Sequence, residues 1–444
     1  MKTTFYLIQI VAICLLMGCR RGGSSINDTE KTGNSIDTTN ITTMLPPSDK
    51  KPTINLYIEN SGSMDGYVTG QTAFKGAIRD LLVMLKYYYD ETNIKIFFIN
   101  SDIHSTASEI DLATFAQNIN TLWYVGDRKH SKLNNIFKMV LARTDNQTIS
   151  ILFSDYIYSI SGKNTAGLLN DAKSLTKDAF LSKWKKDKVP LATTIVKLES
   201  KFKGKYFPYT GDQYNFPIDM ERPYYICVIG NQEILNDFNQ KIALDSGKIE
   251  GFENKYMLSS EDLKGIYWSV LNSSFNNGRF KPDRELSSKN YTHGIKDARL
   301  NRSGENFTFA IAVDFSKIQA EDSYICNIAN YKVTTDNFTV TEVSPIEQKK
   351  KEITASDWLT IQEDKPTHII MLKGNSKQIA NVAFLLKKQI PQWVYQSDTE
   401  DDTTAEKLKD TTFGLKYWVE GIAEAYEEIH KDNQNYFECS ISIK

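Results

Sequence analysis

Residues 54 to 63 read INLYIENSGS, an apolar strand that runs out into a carboxylate, two spaced hydroxyls and a glycine. Open α/β sheets place their ligands at the carboxyl ends of strands, so Glu59, Ser61 and Ser63 fall where a site is expected. Oxygen-only ligands of this kind suit Mg²⁺ or Mn²⁺. Two later segments supply companions: Ser131 opens a helical stretch after a loop, and Asp155 ends a second apolar strand, ISILFSD.

Outward from that strand the pattern alternates. Phe74, Ile78, Leu81, Leu82 and Leu85 recur at helical spacing and predict a helix from about Gln71 to Tyr89. IKIFFIN follows as a strand, 108 to 119 as a helix, LNNIFKMVLART as a helix and QTISILFSD as a strand. A helix over 165 to 184, strands LATTIVKLES and YYICVIG, and a closing helix QEILNDFNQKI complete the series. Such a βα alternation predicts an α/β doubly wound, mostly parallel sheet covered on both faces, over residues 54–245. The aromatic, proline-bearing stretch 201 to 223 interrupts it and reads as a long surface loop or a hairpin beside the sheet.

After residue 250 the period changes. Residues 259 to 272 read as one helix, and NFTFAIAVDF then alternates strictly. YKVTT and NFTVTEV flank a turn signal at Asp336 and Asn337, and HIIMLK, ANVAFLLKK and YFECSISI are further strands. A β-sandwich-like domain over 250–444, with a helical excursion near LKYWVEGIAEAYEEIH, is the expectation.

Bulk properties narrow the classes of function. At 444 residues the chain is long enough for two or three domains, and a formal charge of −2 gives no reason to expect nucleic acid as a partner. The first residues combine Lys2 with the apolar run FYLIQIVAICLLMG, too short to span a bilayer and cut off by Arg20 and Arg21. Leu16, Met17, Gly18 and Cys19 resemble the bacterial lipobox, which implies a signal peptide over 1–18 and acylation of Cys19. Residues 19–52, rich in Ser, Thr, Asn and Gly, read as a flexible tether with a reach on the order of 30 Å. The protein is thus expected in the bacterial cell envelope, lipid-anchored, facing the periplasm or the cell surface. Cys227, Cys326 and Cys439 remain, each in an apolar or alternating segment, and read as buried strand cysteines; a pairing of Cys326 with Cys439 stays open.

With strand order and the three oxygen-bearing segments in hand, the chain resembles a von Willebrand factor A domain over most of 54–245. ENSGS, KHSKLNN and FSD carry the likeness. The family's metal-ion-dependent adhesion site has the form Asp-x-Ser-x-Ser with a later Thr and a later Asp. Glu59 stands where its first Asp would be, Ser61 and Ser63 match, Ser131 stands for the Thr, and Asp155 matches. The resemblance implies a divalent cation, Mg²⁺ or Mn²⁺, whose open position accepts an acidic side chain of a protein partner. Three departures are visible. Glu59 is one methylene longer than Asp, Ser131 lacks the threonine methyl, and Tyr156 replaces a glycine, which puts an aromatic ring at the mouth of the site.

Other chemistry is weaker. His130 with Ser61 or Ser63 and Asp155 is the one arrangement that suggests a serine hydrolase, but GSMDG is not a nucleophile elbow, and a non-enzyme is expected. Ser174 with Lys177 and Ser182 with Lys185 follow from a Lys- and Ser-rich helix, and Lys31-Thr32-Gly33 lies in the tether. Asp398, Glu400, Asp401 and Asp402 lack calcium-loop spacing and read as a solvated loop. Trp393, Tyr395, Tyr417 and Trp418 form a glycan platform if exposed, though their apolar neighbours assign them to a core. The competing non-enzyme reading is a metal-free scaffold of an envelope complex.

Overall fold

Ile54, Leu56 and Ile58 alternate with Tyr57 along strand β1 (Thr53–Glu59), and all four are fully buried, because each face of the sheet is covered. The computed structural model describes residues 51–106, 115, 118–120, 122–129, 131–160, 164–211, 214–245, 247–260, 265–300, 307–335, 337–374, 381–430 and 435–444. The signal peptide, Cys19, the tether with Lys31-Thr32-Gly33, His130, Asp336 and most of the helix expected over 108 to 119 lie outside those residues.

Helix α1 (Ala73–Tyr88) follows β1, begun by Thr72, whose hydroxyl accepts the Lys75 amide at 3.4 Å. Its buried stripe includes Phe74, Ile78, Leu81, Leu82 and Leu85, the positions expected from spacing. Then come β2 (Ile94–Ile99), β3 (Ile103–Ser105), α2 (Leu133–Ala142), β4 (Thr148–Ser154) and α3 (Thr165–Asp187). Strands β5 (Leu191–Tyr206) and β6 (Phe216–Asn231), α4 (Gln232–Lys241) and β7 (Phe252–Ser259) complete the layer. The sheet order is β3-β2-β1-β4-β6-β5-β7. Ile54, Leu56 and Ile58 share a core with α1 and with Leu235 and Phe238 of α4. Tyr57 shares the opposite core with α2 and α3.

The sheet is mixed, not mostly parallel. β1 runs parallel to β2 and β4, while β2–β3, β4–β6, β6–β5 and β5–β7 are antiparallel. The long β5–β6 hairpin is one source of this. β5 and β6 pair from Leu191↔Asn231 to Tyr206↔Phe216, so of the two readings of the stretch 201 to 223, surface loop or hairpin, the hairpin holds, with most of the stretch continuing both strands and no crossover helix between them.

The hairpin's far end folds over the 3-10 turn Gly62–Tyr67 that follows ENS. A Cβ on Gly66 would lie 2.4 Å from the Phe202 ring, and one on Gly204 would lie 3.0 Å from the Gly66 Cα. Gly66→Ala is therefore expected to cost about 1–3 kcal/mol through overpacking, read as a lower urea midpoint at unchanged slope.

Beyond β7 lie β8 (Trp268–Val270), β9 (Arg279–Pro282), β10 (Gly294–Arg299), β11 (Thr308–Val313), β12 (Tyr331–Val333), β13 (Phe338–Pro345), β14 (His368–Gly374) and β15 (Val382–Lys387). The short parallel pair β16 (Asp398–Thr399) and β17 (Thr412–Phe413), helix α5 (Leu415–Ile429) and β18 (Asn435–Ile443) end the chain. They form two further, mostly antiparallel sheets, β12-β15-β18-β10-β9 and β13-β14-β11-β8, which share one apolar core. The helix expected over 259 to 272 is not found among its described residues: Trp268, Ser269 and Val270 pair with β11 instead. YKVTT and NFTVTEV do not form a hairpin, since β12 pairs with β15 and β13 with β14.

Helix α5 does not stay with these sheets. It returns to the first one, where Leu415, Trp418, Val419, Ile422 and Tyr426 join the core of α2, α3 and Tyr57. Lys173 of α3 meets Glu424 at 2.8 Å and Glu420 at 3.5 Å beside that contact. Residues Lys50–Lys444 thus form one compact unit. No helix among the described residues is long and apolar enough to cross a membrane. Cys227 and Cys439 are buried, Cys326 is half-buried, and all three are unbridged.

Candidate functional site

Parallel pairing of β1 with β4 puts Ile58 opposite Phe153, so the two strands run out side by side at Glu59 and Ser154. Glu59 is only 5% exposed and Asp155 2%. Glu59 Oε2 accepts a hydrogen bond from the Ser154 hydroxyl, and Oε1 accepts one from Ser131 at 2.8 Å. The Ser61 and Ser63 hydroxyls lie 3.0 Å apart. Asp155 Oδ1 accepts the Ile157 amide at 3.2 Å, while its Oδ2 is buried without a hydrogen-bond partner. The fold thus gathers all five residues named from sequence, with Ser63 and Ser131 half-buried on the solvent side.

Two carboxyls in so little water repel ionisation. Burial, aided by the charge of Asp155, pushes the Glu59 carboxyl up to about 7, against the hydroxyls of Ser154, Ser131 and Ser61. Burial also raises Asp155, opposed first by the Arg222 guanidinium and then by the Ser63 hydroxyl.

Arg222, which falls in the stretch read as a loop or a hairpin and carries no role in the sequence reading, is the notable omission. It is fully buried on β6, and none of its three guanidinium nitrogens has a hydrogen-bond partner. The Tyr206 ring lies 4.6 Å and the Phe202 ring 5.7 Å from its central carbon. Ser154 was also passed over, although the register that ends β1 at Glu59 ends β4 at Ser154.

The loop that delivers Ser131 is pinned by amides. Asn60 donates to the carbonyls of Trp123 at 2.7 Å and Val125 at 3.0 Å, and Asn100 donates to Asn60 Oδ1 and to Val125, both at 2.9 Å. Arg128 donates to the Asn60 carbonyl at 2.7 Å and ion-pairs with Asp65, which also accepts the Trp123 indole N–H at 2.8 Å. Gly126 turns at φ +76°, and a Cβ there would lie 2.1 Å from His104 Nε2.

Tyr156 does not stand at the mouth. Its backbone takes the left-handed φ of +54° that glycine would favour, and this turns the ring into the core, stacked 4.4 Å from Trp418. Its amide donates to the Ser154 hydroxyl at 2.9 Å.

The acidic run 398 to 402 is anchored rather than solvated. Asp402, fully buried, accepts the Tyr206 hydroxyl at 2.7 Å and the Tyr209 amide at 3.0 Å, while Asp398 and Glu400 bind Lys416 at 3.3 and 2.7 Å. Tyr417 and Trp418 are buried, whereas Trp393 is half-buried and Tyr395 exposed. No group of three or more His, Cys, Asp or Glu side chains placed to hold a metal occurs among the described residues. No family model matches the chain, and no curated protein or solved structure matches it.

Proposed function

We propose that this chain binds a protein partner through a divalent cation, Mg²⁺ or Mn²⁺, in a von Willebrand factor A-like first layer, beside a sandwich-like second layer and behind a lipid anchor at Cys19. The observation that carries the reading is Asp155 Oδ2, a buried carboxylate oxygen with no hydrogen-bond partner at the solvent-facing end of two parallel strands. A cation would give it a counter-charge. The donor set fits a hard ion: hydroxyls of Ser61, Ser63 and Ser131, with Glu59 and Asp155 behind them. The Ser131 hydroxyl donates its hydrogen bond to Glu59, which leaves the lone pairs of its oxygen for an ion. The extra methylene of Glu59 carries its carboxylate to Ser131 and Ser154. An acidic side chain of the partner would complete the coordination, and no catalytic step is assigned.

One observation favours a second reading, a metal-free envelope scaffold. The buried Arg222 guanidinium already supplies positive charge to Asp155. Calorimetric titration of the full-length protein in detergent with Mg²⁺ and Mn²⁺ separates the two. The adhesion reading expects binding heat and, at a hundredfold excess over Kd, about 2.7 kcal/mol of added stability. Both are lost in Ser61→Ala and in Asp155→Ala. Absence of heat and of a thermal shift in the wild type assigns the scaffold.

A further inference from the structure

A cleft of about 530 Å³ opens along β7 at the border of the seven-stranded sheet, far in sequence from ENSGS, with residues 320 to 330 facing the strand and 389 to 393 beside it. Its volume is in the range of sites that take small ligands. Its charges cancel locally: Lys255 pairs with Glu321 at 2.9 Å, and Glu253 with Lys197 at 2.8 Å. An ionic ligand would therefore find every flanking charge already matched. The walls are aromatic. Tyr324 and Tyr436 pack edge to face at 5.9 Å, and each hydroxyl is tied back, to the Lys387 carbonyl at 2.8 Å and the Met257 carbonyl at 3.3 Å. This fixes the rings as rigid surfaces, and the half-buried Trp393 adds a third.

Amides supply most of the uncharged polar lining, with Ser323 beside them. Asn254, Gln389 and Gln392 each bring a carbonyl acceptor and two N–H donors. A hydroxyl group is likewise donor and acceptor at once, so an amide meets it in either sense. A purely apolar ligand would desolvate these amides without replacing their hydrogen bonds, at a cost of about 1–3 kcal/mol for each buried group left unpaired. The ligand class that matches charge-paired, amide-bearing walls with flat aromatic faces carries many hydroxyls, no charge, and C–H faces that lie on rings. We propose that this cleft binds a neutral oligosaccharide, independently of the cation site.

The test titrates the full-length protein in detergent with cellohexaose, xylohexaose, mannohexaose, maltohexaose and chitohexaose in turn. At least one is expected to bind with Kd between about 1 μM and 1 mM, and Trp393→Ala and Gln392→Ala each to weaken it at least about tenfold. Gln392 is exposed, so its variant keeps the test valid if loss of the Trp393 ring disturbs folding. Ser61→Ala is expected to leave saccharide binding unchanged, which separates this result from any failure of the cation site. No heat from any sugar up to about 10 mM overturns the proposal, as does binding indifferent to both variants. Peptide binding that Gln392→Ala abolishes, with no saccharide bound, also overturns it.

Discussion

Replacing Trp418 by alanine is expected to destabilise the whole protein by about 3–5 kcal/mol, the range for deleting a buried indole. Trp418 is fully buried, stacks on Tyr156, and lies 6.0 Å from Phe137 and 6.3 Å from Tyr225 by ring centroids. It therefore joins α5 to the end of β4, to α2 and to β6. Urea unfolding followed by circular dichroism reads the loss, and Trp418→Phe, which keeps a ring against Tyr156, should lose less. The loss should also reach the buried carboxyls of the candidate site, since Asp155 precedes the residue on which Trp418 stacks. A change below about 1 kcal/mol would mean that α5 is an appendage and that the first sheet is complete without it.

The second large effect is a pH dependence. Burial pushes the Glu59 carboxyl up to about 7 from an ordinary value of 4.5. Between these values the native state binds more protons than the unfolded state, so stability falls as pH rises through that window and levels off above it. Asp155, also raised, acts in the same direction. Glu59→Gln removes the ionisable group and should flatten most of the slope. Urea midpoints measured without divalent cation from about pH 4.5 to 8 check this. A stability that rises across the window would show that the two carboxyls are not buried together in solution.

The parts legible from sequence are those that local periodicity determines. The strand INLYIEN, the helix stripe of Phe74, Ile78, Leu81 and Leu85, and the ends of β1 and β4 follow from spacing alone. Strand direction does not. LATTIVKLES and YYICVIG are buried on both faces, and a doubly buried strand reads the same whether its neighbour is parallel or antiparallel. The aromatic and charged residues beyond them hid the hairpin's length, because that overhang packs on the turn Gly62–Tyr67 rather than on a helix. Arg222 was lost for the same reason: a lone arginine before YYICVIG looks like a loop residue until the hairpin encloses it. The destination of α5 was equally hidden. Its apolar stripe announces a buried helix and carries no record of which core receives it.

The order in which the chain emerges gives the return of α5 another meaning. Residues up to 260 include every strand of the seven-stranded sheet, yet the face carrying Tyr57, Leu152 and Tyr156 lacks its last cover until residues 415 to 429 exist. In sequence order this face therefore takes its last cover from a helix that follows most of the later strands. Contacts of such long sequence separation are slow to form. Tyr156, the residue after Asp155, thus takes its stacking partner Trp418 from far along the sequence, so the setting of the two acidic strand ends is tied to a contact of long sequence separation.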